Sequence, residues 1–200
     1  MRHSAWFLAY HGCDKVIGEA ILKGEDVRPS TNDYDWLGEG AYFWENSYSR
    51  ALAWAKQIKA HPGLSKTKIK NPFVVGAIVD AGNCLDLSED SSLKVLKAAY
   101  DTLAQIFELT GQVMPANEPG YDGDKDFVKR KLDCATINLL HELRRREKQP
   151  PFHTVRGVFT EGERLFEGSM IQSKTQVQWC VRNPKKHVIA YFRPRRRNRS

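Results

Sequence analysis

The chain has 200 residues, 41% of them hydrophobic, and a formal net charge of +7. This length and hydrophobic content can bury one core and suit one domain better than two. The positive charge favours an acidic partner, either a phosphate-rich ligand or nucleic acid. Five arginines lie within the last eight residues. Residues 1–192 are therefore predicted to form the domain, and residues 193–200 a basic, disordered tail or an arm that contacts DNA or RNA.

The four cysteines, Cys13, Cys84, Cys134 and Cys180, are widely spaced and form no CxxC pair. This spacing excludes a familiar zinc site and differs from a disulfide framework, so no metal is expected. The apolar stretch near the N-terminus is too short for a signal peptide, and no segment is suited to span a bilayer. The sequence thus predicts a cytoplasmic protein without a membrane partner.

The first third of the chain alternates short apolar runs with turn-forming residues. Residues 5–10 predict a buried strand, and residues 13–23 predict a helix. Residues 27–36 are polar and predict a loop. The glycine-flanked aromatic run at 38–44 predicts a strand, and residues 47–60 predict a helix. The apolar face of that helix consists of Ala51, Trp54, Ala55 and Ile58.

The middle of the chain predicts two strands and two long helices. The β-branched run at 72–82 predicts a buried strand, and residues 84–87 predict a second one. Asp90 or Ser91 is expected to cap the first helix, and the second is expected at 125–148 after a loop rich in Gly, Pro and Asp. The expected inward faces are Leu93, Leu96, Tyr100, Leu103 and Phe107 in the first helix, and Phe127, Leu132, Ala135, Leu139 and Leu143 in the second.

Strands are expected again at 154–159, 176–182 and 187–192. Strands and helices thus follow one another without the regular alternation that builds a parallel sheet. This order favours a single-domain α+β fold over a doubly wound parallel sheet.

Single residues leave the chemistry open. No G-x-G-x-x-G fingerprint is present. His11, at a strand end, suits a structural role as well as ligand contact, and Tyr42 suits a core position as well as a stacking platform. Gln176 and Gln178 occupy alternate positions of a strand and would by default lie on its wetter face. Cys134 and His141, seven residues apart, would share a helix face, and a core cysteine with an exposed histidine is the expected outcome.

Two motifs in order carry more information than any single residue. The first is Tyr10-His11-Gly12, and the second is Leu37-Gly38-Glu39-Gly40-Ala41-Tyr42-Phe43, followed by a helix containing Ser47 to Ala55. This arrangement resembles the ADP-ribosyltransferase superfamily, in the branch shared by poly(ADP-ribose) polymerases and diphtheria-like toxins. The resemblance covers about the first 60 residues well and the last strand pair loosely. It implies a split, mostly antiparallel sheet with flanking helices, whose cleft holds NAD⁺ as the substrate.

The resemblance also implies contacts with the nicotinamide end of NAD⁺. The backbone of Gly12 would bind the carboxamide, Tyr42 would stack on the ring, and Ser47 would lie near the carboxamide. An electron-rich aromatic face suits nicotinamide because the ring is a planar cation while it is attached to ribose.

The remaining contacts concern the riboses and the phosphates. The resemblance implies that His11 hydrogen-bonds the adenosine-side ribose, and that Ser30 or Thr31 approaches the phosphates or a ribose. Gly40, within the second motif, belongs to the same implied set of NAD⁺-binding residues.

The third catalytic position departs from the family pattern. The family usually has a glutamate at the start of a late strand, where this chain has Gln178 or, as the alternative, Gln176. A glutamine amide can hold a ribose hydroxyl, but it cannot accept a proton or offset positive charge as a carboxylate does. Glu161 and Glu163, just upstream, are the first candidates to supply a carboxylate, and Glu45 is a further one.

The resemblance implies an NAD⁺-dependent mono-ADP-ribosyltransferase with a macromolecular acceptor, since chain elongation in the family depends on the missing glutamate. The basic composition favours nucleic acid over protein as the acceptor. The loop at 167–175 precedes the last motif, where the superfamily has its acceptor-recognition loop. The superfamily includes bacterial toxins and anti-phage effectors, and such a biological role is expected for this chain only by analogy. The alternatives are an NAD⁺ glycohydrolase and an inactive module that binds NAD⁺, ADP-ribose or RNA.

Overall fold

A six-stranded sheet forms the centre of the computed structural model, which describes residues 2–195 and gives only the backbone of residues 2–5. The strands are β1 (Arg2–Asp14), β2 (Ala41–Glu45), β3 (Pro72–Asp86), β6 (Thr154–Phe159), β7 (Gln176–Val181) and β8 (Val188–Phe192), and the two-residue strands β4 (Asn117–Glu118) and β5 (Lys129–Arg130) form a separate pair. The helices are α1 (Lys15–Ile21), α2 (Tyr48–Ala60), α3 (Asp90–Thr110), α4 (Lys131–Arg146) and α5 (Pro184–His187), with a 3₁₀ turn at Pro62–Leu64.

The strands pair in the order β1–β2–β7–β6–β3–β8, and β1 also pairs with β3. The pairings therefore form a closed ring of five strands, with β8 added alongside β3. All of these pairs are antiparallel except β3 with β6. The prediction of a single α+β domain with a mostly antiparallel sheet is confirmed.

The ring opens on one side of β1. This strand pairs with β3 as far as Asp14, but with β2 only at Ala9 and Tyr10. Beyond Tyr10, β1 and β2 diverge, and β2 continues its pairing with β7 alone. On the side that faces β2, the chain from His11 onwards thus borders an opening in the sheet, while its other side stays paired with β3.

Two buried clusters of apolar side chains hold the sheet and helices together. The first includes Ala9, Phe43, Val75, Ala77 and Val181, and the second includes Leu37, Leu85, Ile137, Leu140 and Val155. Phe43 belongs to the first cluster, whereas the neighbouring Tyr42 packs against the second. Because successive side chains of a strand point to opposite faces, β2 contributes to both clusters.

One expected chain break is absent. The strands predicted at 72–82 and 84–87 form the single strand β3, and the prediction of two strands was wrong. Gly82 lies between them with a φ of 54°, and its N–H donates to the Asp80 carboxylate at 3.0 Å. Glycine adopts this left-handed conformation without steric cost, so the chain bends there without ending the strand.

The second long helix begins later than predicted. It starts at Lys131 rather than at 125, because the Asp124 carboxylate accepts the backbone N–H groups of Gly120, Asp126 and Val128. Side-chain bonds of this kind offer the backbone an alternative to a helix. Phe127, expected to face inward, is instead 47% exposed. The buried residues of α4 are Cys134, Thr136, Ile137 and Leu140, and the expected Leu132, Ala135, Leu139 and Leu143 are only half-buried.

The other helices lie close to their predicted positions. Helix α1 starts at 15 rather than 13 because Asp14 caps it, accepting the N–H of Val16. Helix α3 begins at Asp90, but Glu89 is its N-cap, and of its predicted face Leu93 and Tyr100 are exposed. Its buried residues are Ala99 and Leu103.

The predicted tail is described only in part. Arg193 Nη2 lies 2.6 Å from Glu19 Oε2 of α1, and residues 196–200 lie outside the described residues. Over residues 2–195, no helix is both long and apolar enough to cross a membrane.

Gly12 determines how closely α2 approaches the sheet. A Cβ at this position would overlap the carbonyl oxygen of Ala51, a backbone atom of α2, whereas a Cβ at Gly63 would meet nothing. We therefore expect Gly12→Ala to lower the free energy of unfolding by about 1–3 kcal/mol through overpacking. Gly63→Ala should change it by less than about 0.5 kcal/mol. Urea unfolding of both variants checks this, and equal stability of the two would contradict the packing described here.

Candidate functional site

A cavity of about 720 Å³ lies beside the opening between β1 and β2. Its walls come from the strands β1, β2 and β7 and the end of β6, the helices α1 and α2, the loop at 27–40, and the segments at 64–69 and before α4. Cavities of this size commonly hold small molecules or cofactors. The predicted site residues that line it are His11, Gly12, Ser30, Thr31, Gly40, Tyr42, Glu161, Gln176 and Gln178.

His11 has a defined tautomer. Its Nδ1 lies 2.8 Å from the carbonyl oxygen of Tyr42, which can only accept, so Nδ1 carries the hydrogen. Burial lowers the pKa of the imidazole, which is therefore neutral at pH 7. The lone pair of Nε2 then has no partner among the described residues, in a side chain that lines the cavity. His11 thus offers one hydrogen-bond acceptor to a ligand.

Tyr42 is fixed by the loop that precedes its own strand. Its hydroxyl accepts the N–H of Leu37 at 2.9 Å and donates to the carbonyl of Gly38 at 2.8 Å. Burial raises the pKa of the phenol well above its usual range, so the group stays protonated. The hydroxyl therefore positions the loop, and the ring is what this residue can offer to a ligand.

Two tryptophans determine how the glutamines of β7 are oriented. Trp36 Nε1 donates to Gln178 Oε1 at 2.8 Å, and Trp44 Nε1 donates to Gln176 Oε1 at 2.6 Å. An indole nitrogen can only donate, so each amide must turn its oxygen to the tryptophan. The amide nitrogen of Gln178, a residue only 8% exposed, has no partner among the described residues. It is available as a donor in the cavity.

The amide nitrogen of Gln176, unlike that of Gln178, already has a carboxylate as its partner. Its Nε2 donates to Glu161 Oε2 at 2.7 Å, and Glu161 Oε1 lies 3.1 Å from Arg130 Nη2. Burial raises the pKa of Glu161, and the Arg130 charge opposes that shift. A carboxylate is thus held inside the cavity by one amide and one guanidinium, beside β7.

The other two candidate carboxylates lie outside the cavity lining. Glu45 is 3.0 Å from Arg156 Nε and accepts from Trp179 Nε1 at 2.7 Å, in a structural network. Glu163 is largely exposed and pairs with Lys125. Of the three glutamates considered from the sequence, Glu161 is the one in the cavity.

Ser47 also lies outside the lining, where its Oγ accepts the N–H of Arg50 and caps α2. Ser30 joins the loop to β2 through reciprocal backbone bonds with Gly40, at 2.8 and 3.1 Å. A Cβ at Gly40 would overlap the sulfur of Cys180. Close packing therefore explains why glycine is needed at position 40, and no ligand contact is required. The same holds for Gly12, which packs against α2.

Several residues of the cavity were not identified from the sequence. Trp36 and Trp44 orient the glutamines, and Arg50 enters from α2. Asp35 lines the wall, and its buried Oδ2 has no hydrogen-bond partner among the described residues. Burial raises the pKa of Asp35. The helix period of α2 is the signal that could have identified Arg50. Arg50, Trp54 and Gln57 lie on a second stripe of this helix, which faces the cavity.

The cysteines give no sign of metal or nucleophile chemistry. All four are buried free thiols. Cys134 Sγ contacts the Asn32 carbonyl and the Asn138 amide, not His141, and burial raises its pKa to about 12. Among residues 2–195, no group of three or more His, Cys, Asp or Glu side chains is arranged to hold a metal ion.

Comparison with known proteins identifies one curated relative of the chain. An uncharacterized protein of Methanocaldococcus jannaschii, MJ0359, is 40% identical over 191 residues, which cover 88% of this chain and 81% of that protein. The chain belongs to the MJ0359 family. No family model matches the sequence.

The contact between Gln176 and Glu161 leads to a pH-dependent prediction for this member of the MJ0359 family. Gln176→Glu would place a second carboxylate 2.7 Å from Glu161. Two carboxylates this close resist joint ionisation, which raises their pKa values in the folded state. The free energy of unfolding of Gln176→Glu should therefore lie only slightly below that of the wild type at pH 4. The deficit should grow to roughly 1–3 kcal/mol as the pH rises to 8.

Gln178→Glu is the matched control, because Trp36 can still donate to its carboxylate and no acid contacts it. Its deficit at pH 8 should be less than half that of Gln176→Glu. Urea unfolding at several pH values measures both. The reverse ranking would contradict the assigned amide orientations.

Proposed function

We propose that the chain is an NAD⁺-dependent mono-ADP-ribosyltransferase. The observation that carries the proposal is the convergence of His11, Tyr42 and Gln178 on one cavity, from three strands separated in sequence. His11 supplies an acceptor without a partner and Gln178 a donor without a partner. These are complementary to the hydroxyl groups of a ribose, each of which both donates and accepts.

The proposed roles follow from these free atoms. His11 Nε2 accepts a hydrogen bond from a ribose hydroxyl, and Gln178 Nε2 donates to the nicotinamide-ribose hydroxyl. Tyr42 offers its ring to the nicotinamide, held in place by its bonds to the loop. Since these groups are positioned by the protein itself, little reorganisation is needed when the ligand binds.

Glu161 takes the electrostatic role that Gln178 cannot. In the reaction, the bond between the ribose C1′ and the pyridine nitrogen breaks, and its electron pair neutralises the nitrogen as nicotinamide leaves. The carboxylate stabilises the positive charge that develops at C1′. The nucleophile of the acceptor then bonds to C1′ and gives its proton to Glu161 or to water. Burial raises the pKa of Glu161, which makes it a better proton acceptor than an ordinary glutamate.

The proposed acceptor is a macromolecule. The net charge of +7 favours nucleic acid. The loop between Glu161 and Gln176 has a different character at its tip, where four large apolar side chains are more than half exposed: Leu165, Phe166, Met170 and Ile171. Such a tip suits a protein surface. Incubation with labelled NAD⁺ and a cell extract, followed by separate nuclease and protease digestion, identifies the acceptor. Nicotinamide release without labelled acceptor would mean a glycohydrolase, and binding without turnover an inactive module.

The first activity prediction concerns His11. His11→Ala should reduce nicotinamide release by roughly 100-fold, because the adenosine-side ribose loses a contact that positions the dinucleotide for reaction. His61→Ala is the control, since this ring stacks on Tyr121 and does not line the cavity. Nicotinamide release by both purified variants is compared after circular dichroism has established that they fold. Normal turnover by folded His11→Ala would refute the proposed site.

The second activity prediction concerns Glu161. Glu161→Gln keeps the shape but removes the charge, and should reduce nicotinamide release at least tenfold, whereas Glu163→Gln should leave it unchanged. The wild-type rate should also fall on acidification at a higher pH than an ordinary glutamate titrates, because burial raises this pKa. That acid limb should be missing in Glu161→Gln. An identical pH profile in the variant would assign the carboxylate role elsewhere.

A further inference from the structure

One cation in the cavity has a buried nitrogen without a partner among the described residues. Arg50 lies in the first turn of α2, lines the cavity and buries its Nη2 atom, which forms no hydrogen bond with any described residue. Burial lowers the pKa of this guanidinium, while the charges of Glu161 and Asp126 oppose the shift. Both acids therefore lie near enough to influence Arg50 without pairing with it.

The nearby carboxylates are already engaged. Glu161 binds Arg130 and Gln176, as described above. Asp126 accepts the N–H of Gly162 at 2.8 Å and lies 3.4 Å from Lys174 Nζ. Arg50 is thus a half-buried cation, with one buried and unpaired nitrogen, beside two acids whose own contacts are made by other groups.

Keeping a guanidinium donor away from water without a partner is costly, and such groups are retained where a ligand completes them. A guanidinium presents a planar set of donors that matches the two oxygens of a carboxylate or a phosphate. We propose that Arg50 binds an oxyanion of the ligand and thereby selects which dinucleotide the cavity accepts. The choice of a pyridine dinucleotide as that ligand rests on the proposed function.

Two parts of such a ligand carry the required oxyanion. One is the diphosphate, which all dinucleotides of this class share. The other is the ring carboxylate of nicotinic acid adenine dinucleotide, which replaces the neutral carboxamide of NAD⁺. Arg50 precedes Ala51, the residue that contacts Gly12, and its field reaches Glu161. NAD⁺, the proposed substrate, offers Arg50 only its diphosphate, whereas the position of Arg50 at the proposed pyridine end of the cavity also suits the ring carboxylate.

Calorimetric binding of four probes tests the assignment: NAD⁺, nicotinic acid adenine dinucleotide, adenosine and inorganic pyrophosphate. Arg50→Gln should weaken the probe whose oxyanion it binds by about 10- to 100-fold and leave adenosine within twofold. Loss confined to the nicotinic acid form identifies the ring carboxylate. Equal loss for both dinucleotides identifies the diphosphate. Arg28→Gln, which removes the same charge from an exposed arginine at the cavity, is the matched control.

The remaining outcomes separate the two proposals. If the wild type binds the dinucleotides and Arg50→Gln binds them equally well, or if Arg28→Gln weakens them as much, the role of Arg50 is wrong and the proposed function stands. If the wild type binds neither dinucleotide nor adenosine, the proposed function is wrong. The role of Arg50 would then survive only if pyrophosphate bound and Arg50→Gln abolished that binding.

Discussion

The hydrogen bond from His11 Nδ1 to the Tyr42 carbonyl is the interaction on which the proposed site depends. It joins β1 to β2 just beyond Tyr10, where their backbone pairing ends. The cavity exists because the strands diverge there, and this bond crosses the gap from side chain to backbone. It also determines the tautomer of His11, and so it decides that the atom left for a ligand is an acceptor.

The polar contacts of the two glutamines on β7 determine which groups remain available to a ligand. The two tryptophan N–H groups each fix one amide, and only one of the two amides remains free for a ligand. In the function proposed above, the hydrogen bond and the charge come from two residues, Gln178 and Glu161. The arrangement places a carboxylate in the cavity without placing it on the strand.

The sequence predicted most of the strands and the α+β class, because short β-branched runs and their spacing depend on local pattern. It placed Tyr42 on a strand but ended the first strand at residue 10, whereas β1 continues through His11 to Asp14. The start of α4 was missed because the Asp124 side chain, not the local helix pattern, organises the preceding backbone. Trp36 was missed because its significance lies in a contact across the fold with Gln178, and Arg50 because its place in the cavity depends on residues far away in the chain. The sequence could name Glu161 as a candidate but not its partner Arg130, which is 31 residues away.

Glycines illustrate the same limit. Gly12 and Gly40 both fall in the motifs, and a ligand contact is one explanation for a glycine at such positions. The structure supplies a sufficient packing reason for each, against Ala51 and Cys180. Their presence in the motifs therefore carries less weight for NAD⁺ binding than the free atoms of His11 and Gln178.

The most direct test of the account is the protonation state of His11, measured by long-range ¹H–¹⁵N NMR of the imidazole with and without NAD⁺. The account predicts a neutral ring at pH 7 with the hydrogen on Nδ1, because burial lowers its pKa and the Tyr42 carbonyl requires a donor. It also predicts that the Nε2 resonance shifts when NAD⁺ is added, as the lone pair accepts a ribose hydroxyl. A ring protonated on Nε2, or an Nε2 resonance that saturating NAD⁺ leaves unchanged, would contradict it.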